Sequence, residues 1–217
     1  MRTPRRPSSI LGLLLVGALA GCGGDASDGS KPAPPVAAPG AAAAAPAGGV
    51  AQPATLEGLV ARFQALRKAG DAAGLQALAA STIPSTTELA AVLRSGPERD
   101  AFLSKYPLHD MKADDPRVAE LGKGLFEPSN GKQTEVLVHA STTEELAAYA
   151  KGTMAFEEFP GGCQRFARLV AAPGRTWYVV ELVAPGEASG MKYSIFTKLG
   201  DRFLFVSKPW RAMPEPR

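Results

Sequence analysis

The stretch Arg175–Val183, which has the sequence Arg-Thr-Trp-Tyr-Val-Val-Glu-Leu-Val, decides the fold class. Its β-branched and aromatic residues predict a strand, and Pro185-Gly186 behind it predicts a turn. Apolar and polar residues alternate over 191–198, which indicates a second strand. Gly200-Asp201 then predicts a hairpin that leads into a third strand over 202–208. We therefore expect the carboxyl-terminal part of the chain to form an antiparallel sheet.

Upstream of this region, apolar residues recur at helical spacing. Thr55 is predicted to cap a first helix, Gly70 to end it, and Asp71 to cap a second. Ser85-Thr-Thr-Glu88 fits a capping box, and Pro97 opens a further short helix. The apolar stripes of these helices contain Leu56, Leu59, Val60, Phe63, Leu66, Leu75, Leu78, Leu89, Val92, Leu93, Phe102 and Leu103.

The middle of the chain mixes irregular and regular segments. Residues 107–132 are rich in proline and glycine and are predicted to form a loop with one helical turn. Residues 134–140 predict a strand, and the polar run 141–145 starts another helix. The apolar spacing over 163–170 favours a short helix, although a strand also fits. Helices that precede an antiparallel sheet define an α+β domain.

Two segments carry a resemblance to a known family. One is the opening helix pair and the other is the closing segment Tyr193–Arg211. Both are similar to the NTF2-like (SnoaL-like, cystatin-like cone) superfamily, in which helices and an antiparallel sheet form a cone around a pocket. The resemblance spans most of residues 55–211 and implies that one sheet face lines the pocket, while apolar content throughout residues 55–217 predicts a single α+β domain there. In the helix pair it rests on Phe63, Leu66, Ala69, Gly70, Asp71, Leu75 and Leu78.

The amino terminus has the parts of a cleavable export signal. Residues 1–9 carry three arginines and no acid, and residues 10–20 form an apolar run. That run is shorter than the roughly 20 residues of a membrane-spanning helix. Leu19-Ala20-Gly21-Cys22 follows and resembles a lipobox, the motif of bacterial lipoproteins. The resemblance implies that residues 1–21 are removed and that Cys22 is lipidated, and two or more acyl chains hold a protein stably on a bilayer.

The residues around Cys22 predict a location. Gly23 and Gly24 follow the cysteine, at a place where an aspartate would indicate retention in an inner membrane. The expected location is the cell envelope, with the lipid bilayer as the partner of Cys22, and the outer membrane if the host has two membranes.

Residues 22–54 have a composition that differs from the rest of the chain. They are rich in alanine, proline and glycine and contain no leucine, isoleucine or aromatic residue. Such a segment cannot build a core, and its prolines favour extended backbone. We expect a disordered tether between the anchor and the domain, or alternatively a segment that binds a partner.

The formal net charge of +3 belongs to the signal. Without Arg2, Arg5 and Arg6, the chain has 21 basic residues against 21 acidic ones. General attraction to nucleic acid needs a basic footprint, so no nucleic-acid partner is predicted.

Cysteine usage leaves one thiol to explain. The chain has two cysteines, Cys22 and Cys163. With Cys22 lipidated, Cys163 has no partner inside the chain. It has no neighbouring histidine or basic cluster that would lower its pKa, so we predict a buried apolar residue rather than a reactive thiol.

The best candidate for acid–base chemistry is His139. It shares one face of its predicted strand with Glu135 and Leu137. Glu181, on a later strand, is the candidate partner, and the NTF2-like resemblance implies that such a pair faces the pocket. The alternative is a histidine near solvent at the end of a strand.

Two other groups of polar residues favour structural roles. His109-Asp110, with Asp114 and Asp115 nearby, lacks the ligand spacing of a calcium loop and is predicted to be a solvated loop. Glu157-Glu158 is predicted to be an exposed turn, because adjacency in sequence does not place two carboxylates across a cleft.

The remaining features define the functional expectation. No G-x-S-x-G, H-E-x-x-H or C-x-x-C motif is present, so the sequence predicts no cofactor and no metal site. We expect a non-catalytic domain that binds an envelope protein or a small apolar ligand. The alternative is a small pocket enzyme of the SnoaL-like kind that uses His139 and Glu181. Five aromatic residues are either core or the lining of an apolar pocket: Trp177, Tyr178, Tyr193, Phe196 and Trp210.

Overall fold

The computed structural model describes residues 50–129 and 131–213. Its strands are β1 (Glu135–Thr142), β2 (Thr176–Val183), β3 (Met191–Leu199) and β4 (Arg202–Phe205), which form one antiparallel sheet in the order β1-β2-β3-β4. The predicted α+β class is confirmed. The helices are α1 (Leu56–Lys68), α2 (Ala72–Thr82), α3 (Thr86–Ala91), α4 (Pro97–Lys105), α5 (Pro116–Gly124), α6 (Thr143–Ala148), α7 (Met154–Glu158) and α8 (Gly162–Leu169), and Pro209–Arg211 forms a 3₁₀ turn.

Helix starts follow the predicted caps. The side chain of Thr55 accepts a hydrogen bond from the backbone of α1, and that of Asp71 does the same for α2. Ser85 and Glu88 form the complete capping box of α3. Between α1 and α2 the chain turns sharply at Gly70, whose φ of 68° lies in the left-handed region that glycine tolerates.

Two elements differ from the prediction, and a third segment settles an alternative that the sequence left open. Residues 116–124 form the helix α5 instead of a loop with one turn, because Pro116 occupies the first helical turn and Asp115 caps it. Residues 163–170 are mostly helical, in α8, which resolves the helix or strand alternative. The last strand, β4, ends at Phe205, short of the predicted 208.

Strand β2, in the middle of the sheet, is buried on both faces. Along β2, Trp177 and Val179 belong to one buried apolar cluster, whereas Val180 and Leu182 belong to another. Alternate residues of a strand point to opposite faces, so each cluster lies on its own face. The first core cluster includes residues of α3, α4, α6, α7 and α8, and the second core cluster includes residues of α1, α2 and α5.

The end of the predicted tether is attached to the domain. The Gln52 side-chain amide donates a hydrogen bond to Ser81 O at 2.6 Å, and its Oε1 accepts one from Phe203 N at 2.8 Å. The folded part of the chain therefore includes Gln52, which the sequence assigns to the tether.

Other predictions lie outside the described residues. These are the signal at 1–21, the lipidation site Cys22 and the tether up to residue 49. In the described ranges, none of the helices combines the length and the apolar character that crossing a bilayer requires.

Gly122 sets how closely α5 approaches α2. A Cβ atom at this position would lie 2.8 Å from Leu75 O, inside normal contact distance. We expect Gly122→Ala to lower the free energy of unfolding by about 1–3 kcal/mol, because the two helices must separate. Gly124→Ala is the matched control, since its Cβ would meet nothing within 4 Å, and it should be neutral or stabilising by about 0.5–1 kcal/mol. Equal effects of the two changes in urea unfolding would contradict this packing.

Cys163 is fully buried in the first core cluster, as predicted. Burial raises the pKa of its thiol to about 12, so the thiol stays protonated at pH 8. We expect no alkylation of the peptide that contains Cys163 by iodoacetamide in the native protein, and rapid alkylation in denaturant. Rapid alkylation of the native protein, measured by mass spectrometry, would show that the thiol is accessible.

Candidate functional site

The sheet register brings the predicted pair to one face. His139 on β1 lies opposite Val179 of β2, and Leu137 lies opposite Glu181. Because directly opposed residues share a face and the side-chain period is two, His139 and Glu181 point to the same side. Lys192 of β3 lies opposite Glu181 and joins them on that face.

His139 and Glu181 are in contact. His139 Nε2 lies 3.0 Å from Glu181 Oε2, a hydrogen-bond distance. Only 3% of the Glu181 side chain and 14% of the His139 side chain are exposed. A buried carboxylate requires partners, and the other oxygen of Glu181, Oε1, accepts a hydrogen bond from Gly190 N at 2.5 Å. Both oxygens of Glu181 are therefore engaged.

Glu158, the last residue of α7, completes the group. Its Oε2 lies 3.7 Å from His139 Nε2 and accepts a hydrogen bond from Lys192 Nζ at 2.6 Å. Lys192 Nζ is also 3.9 Å from Glu181 Oε2. The hydrogen bond from Lys192 holds the pKa of Glu158 below its usual value. We refer to His139, Glu158, Glu181 and Lys192 as the polar cluster.

The polar cluster is unbalanced in charge. Two carboxylates face one ammonium, so one negative charge remains uncompensated when the imidazole is neutral. An added cation would balance it. The cluster can therefore attract a positively charged ligand.

The prediction of an exposed turn at Glu157-Glu158 is wrong. Both residues belong to α7. Glu157 is exposed, but only 27% of the Glu158 side chain is exposed, and its carboxylate belongs to the polar cluster. Lys192 was not predicted as a site residue. The sequence does contain a signal for Lys192, because β2 and β3 form a hairpin that places it opposite Glu181. It contains no signal for Glu158, whose position depends on the packing of α7 on β1.

A cavity lies elsewhere in the domain. It has a volume of about 380 Å³, and its lining contains three basic residues and no acidic residue. It includes neither His139 nor Glu181, so the predicted pair comes into contact without lying in this cavity. Its lining consists of Lys105, Tyr106, Pro107, Leu108, Ser207, Lys208, Arg211 and Ala212.

The acids near His109 cap and tie down loops. The carboxylate of Asp110 accepts hydrogen bonds from the backbone N and the hydroxyl of Thr86, and the hydroxyl contact lowers its pKa most. Asp115 caps α5. The ring of His109 stacks against Tyr106 at 6.2 Å between centroids. These side chains therefore have different partners and do not form one site.

The five aromatic residues are divided between the two faces of the sheet. Trp177 and Trp210 belong to or pack against the first core cluster. Tyr178, Tyr193 and Phe196 belong to or pack against the second. They therefore do not line one common pocket.

Comparison with known proteins adds no family. No protein-family model, no curated protein and no solved structure matches this chain. The NTF2-like cone is not confirmed, and in the described part of the chain apolar clusters cover both sheet faces.

Proposed function

We propose that this protein is a lipid-anchored protein of the bacterial cell envelope whose folded domain binds a small cationic ligand at the polar cluster. The signal-like residues 1–21 and the lipobox-like segment that ends at Cys22 support the anchoring. The observation that carries the binding role is the meeting of Glu158 and Glu181 around His139, where Lys192 is the one cation paired with them among the contacts of the described residues.

The cluster differs from an ordinary surface ion pair in its burial. Exposed pairs contribute little and occur without function. Glu181 is 3% exposed, and placing a carboxylate there costs free energy that an apolar residue would not cost. Its neighbour Glu158 adds a second negative charge to the same spot. A cation that approaches from the partly exposed side of Glu158 and Lys192 would offset the cost of placing these two acids together.

Nuclear magnetic resonance of the histidine side chains tests the binding. The chain has two histidines, so His109 serves as an internal reference. The full processed chain is titrated separately with 1,4-diaminobutane, CaCl₂ and ZnCl₂. At least one cation should move the imidazole signals of His139 while those of His109 stay in place. If no cation moves His139, or if both histidines respond equally, the binding role is refuted.

Mass spectrometry tests the anchoring. Protein purified from membranes should begin at Cys22 and carry the added mass of a diacylglyceryl group and an amide-linked acyl chain. Cys22→Ala should abolish both the added mass and the cleavage after Gly21. An intact leader, or an unmodified Cys22 on a freely secreted form, would contradict the proposed location.

Acid–base catalysis is the second candidate, favoured by the 3.0 Å contact between His139 and Glu181. A catalytic histidine must be reachable by substrate. We therefore expect diethyl pyrocarbonate to modify His139 in the folded protein if this alternative is right, with His109 as reference. Protection of His139 until the protein unfolds would exclude it as a general base.

A further inference from the structure

We infer that the cation bound by the polar cluster is a divalent transition-metal ion of the zinc class, held by His139 Nε2, Glu158 Oε2 and Glu181 Oε2. This inference rests on the cation binding proposed above and names the cation. The sequence predicts no metal site, because the three ligands come from β1, α7 and β2 and match no contiguous metal motif.

The distances between the three ligand atoms suit one ion. His139 Nε2 lies 3.0 Å from Glu181 Oε2 and 3.7 Å from Glu158 Oε2, and each of the three residues offers one ligand atom within 4.8 Å of the other two. Around a tetrahedral zinc ion with bonds of about 2.0–2.2 Å, ligand atoms are about 3.3–3.6 Å apart. Small side-chain adjustments therefore bring the three atoms to bonding distance.

The types of ligand select the class of ion. Calcium and magnesium prefer sites made of oxygen atoms alone, whereas an imidazole nitrogen suits zinc and related transition metals. One imidazole and two carboxylates supply three protein ligands. A tetrahedral ion then keeps a fourth position for water or another molecule, which distinguishes this site from a closed structural zinc site.

Glu181 is oriented for this role by its own hydrogen bond. Gly190 N donates to Oε1 and fixes the carboxylate plane, which leaves Oε2 directed at His139. Hydrogen bonds of this kind orient metal ligands and are needed for full affinity. Because Glu181 is buried, its position does not depend on surface side-chain motion.

Lys192 is the competitor of the ion. Its Nζ lies 2.6 Å from Glu158 Oε2 and 3.9 Å from Glu181 Oε2, so the ammonium lies beside both carboxylates. The Lys192 side chain is 31% exposed, and its flexible stem can move the ammonium into solvent when a doubly charged ion arrives. A metal site therefore makes a specific prediction: removing Lys192 should strengthen metal binding.

The test is calorimetric titration of the full processed chain with ZnCl₂ after treatment with a chelator. We expect one ion per chain and a shift of the His139 signals that spares His109. Lys192→Met should tighten zinc binding by about fivefold or more, because the competing ammonium is gone. Glu158→Gln should weaken it by about tenfold or more, because a charged ligand is lost.

Glu157→Gln is the matched control. Glu157 precedes Glu158 on α7 but is exposed and belongs to no part of the cluster, so zinc affinity should stay the same. Glu158 is also partly exposed, so its variant is expected to fold, which circular dichroism verifies. Equal weakening by Glu157→Gln and Glu158→Gln would indicate diffuse attraction to surface acids and would overturn the inference.

The remaining outcomes separate this inference from the proposed function. If neither the natural chain nor the Lys192→Met variant binds zinc, or if Lys192→Met weakens binding, the metal site is refuted. If 1,4-diaminobutane moves the His139 signals and zinc does not, cation binding stands and the metal site falls. If no cation moves them, both proposals fail together.

Discussion

Replacing Trp177 with alanine is expected to lower the free energy of unfolding by about 3–5 kcal/mol. Trp177 is completely buried at the centre of the first core cluster, where its ring meets Phe166 edge-on at 5.0 Å between centroids. Its Nε1 donates a hydrogen bond to Thr143 Oγ1 at 3.0 Å. The substitution removes the largest side chain of the core and leaves a cavity between the sheet and α8. Urea unfolding followed by circular dichroism measures the loss.

Trp210 is the matched control for this substitution. The chain has two tryptophans, and Trp210 packs against the same core cluster but is only partly buried. Trp210→Ala should therefore cost less than Trp177→Ala. If Trp177→Ala abolishes folding, Trp177→Phe replaces it in the test. The phenyl ring keeps most of the volume, so the free energy of unfolding should fall by about 1–2 kcal/mol, mainly because the hydrogen bond is lost. Equal costs at positions 177 and 210 would show that the core does not centre on Trp177.

The helix caps were predictable because each one is a local relation. Thr55, Asp71 and Ser85 each bond to a backbone N–H three residues later, so the sequence of one turn contains all the required information. The prediction for α5 was wrong because it needed information that is not local. Pro116 and Gly122 resemble loop residues in isolation, but Pro116 begins the helix and Gly122 is the contact point with α2. That contact depends on tertiary packing.

Two residues of the polar cluster were predictable from the sequence, and the contacts that complete it were not. His139 and Glu181 stand on strands that the sequence predicts, and an acid inside the apolar run of β2 is visible without a structure. The pairing of β1 with β2, which brings them together, joins residues 42 positions apart. Glu158 needs a further step, since α7 must pack against β1 before its carboxylate can reach His139. Composition and periodicity do not determine that placement.

Removing His139 alone should destabilise the domain more than removing the pair. His139→Ala leaves Oε2 of the buried Glu181 carboxylate without its imidazole partner, and breaking a buried pair in this way typically costs about 3–5 kcal/mol. In the double variant His139→Leu, Glu181→Leu, no buried charge remains at this point and apolar volume replaces the pair. Its stability should lie within about 1 kcal/mol of the natural chain, so the two changes are strongly coupled.

Lys192→Met supplies the control for this cycle. Its contact with Glu158 is partly exposed, and such pairs contribute about 1 kcal/mol or less. All variants must be unfolded in the presence of a chelator, since any ion bound only to the folded state would add stability to the chains that retain its ligands. If His139→Ala costs no more than Lys192→Met under these conditions, the buried pair contributes no more than an exposed one. If the double variant is instead as unstable as His139→Ala, the cost arises from lost packing around β1 and not from the stranded charge of Glu181.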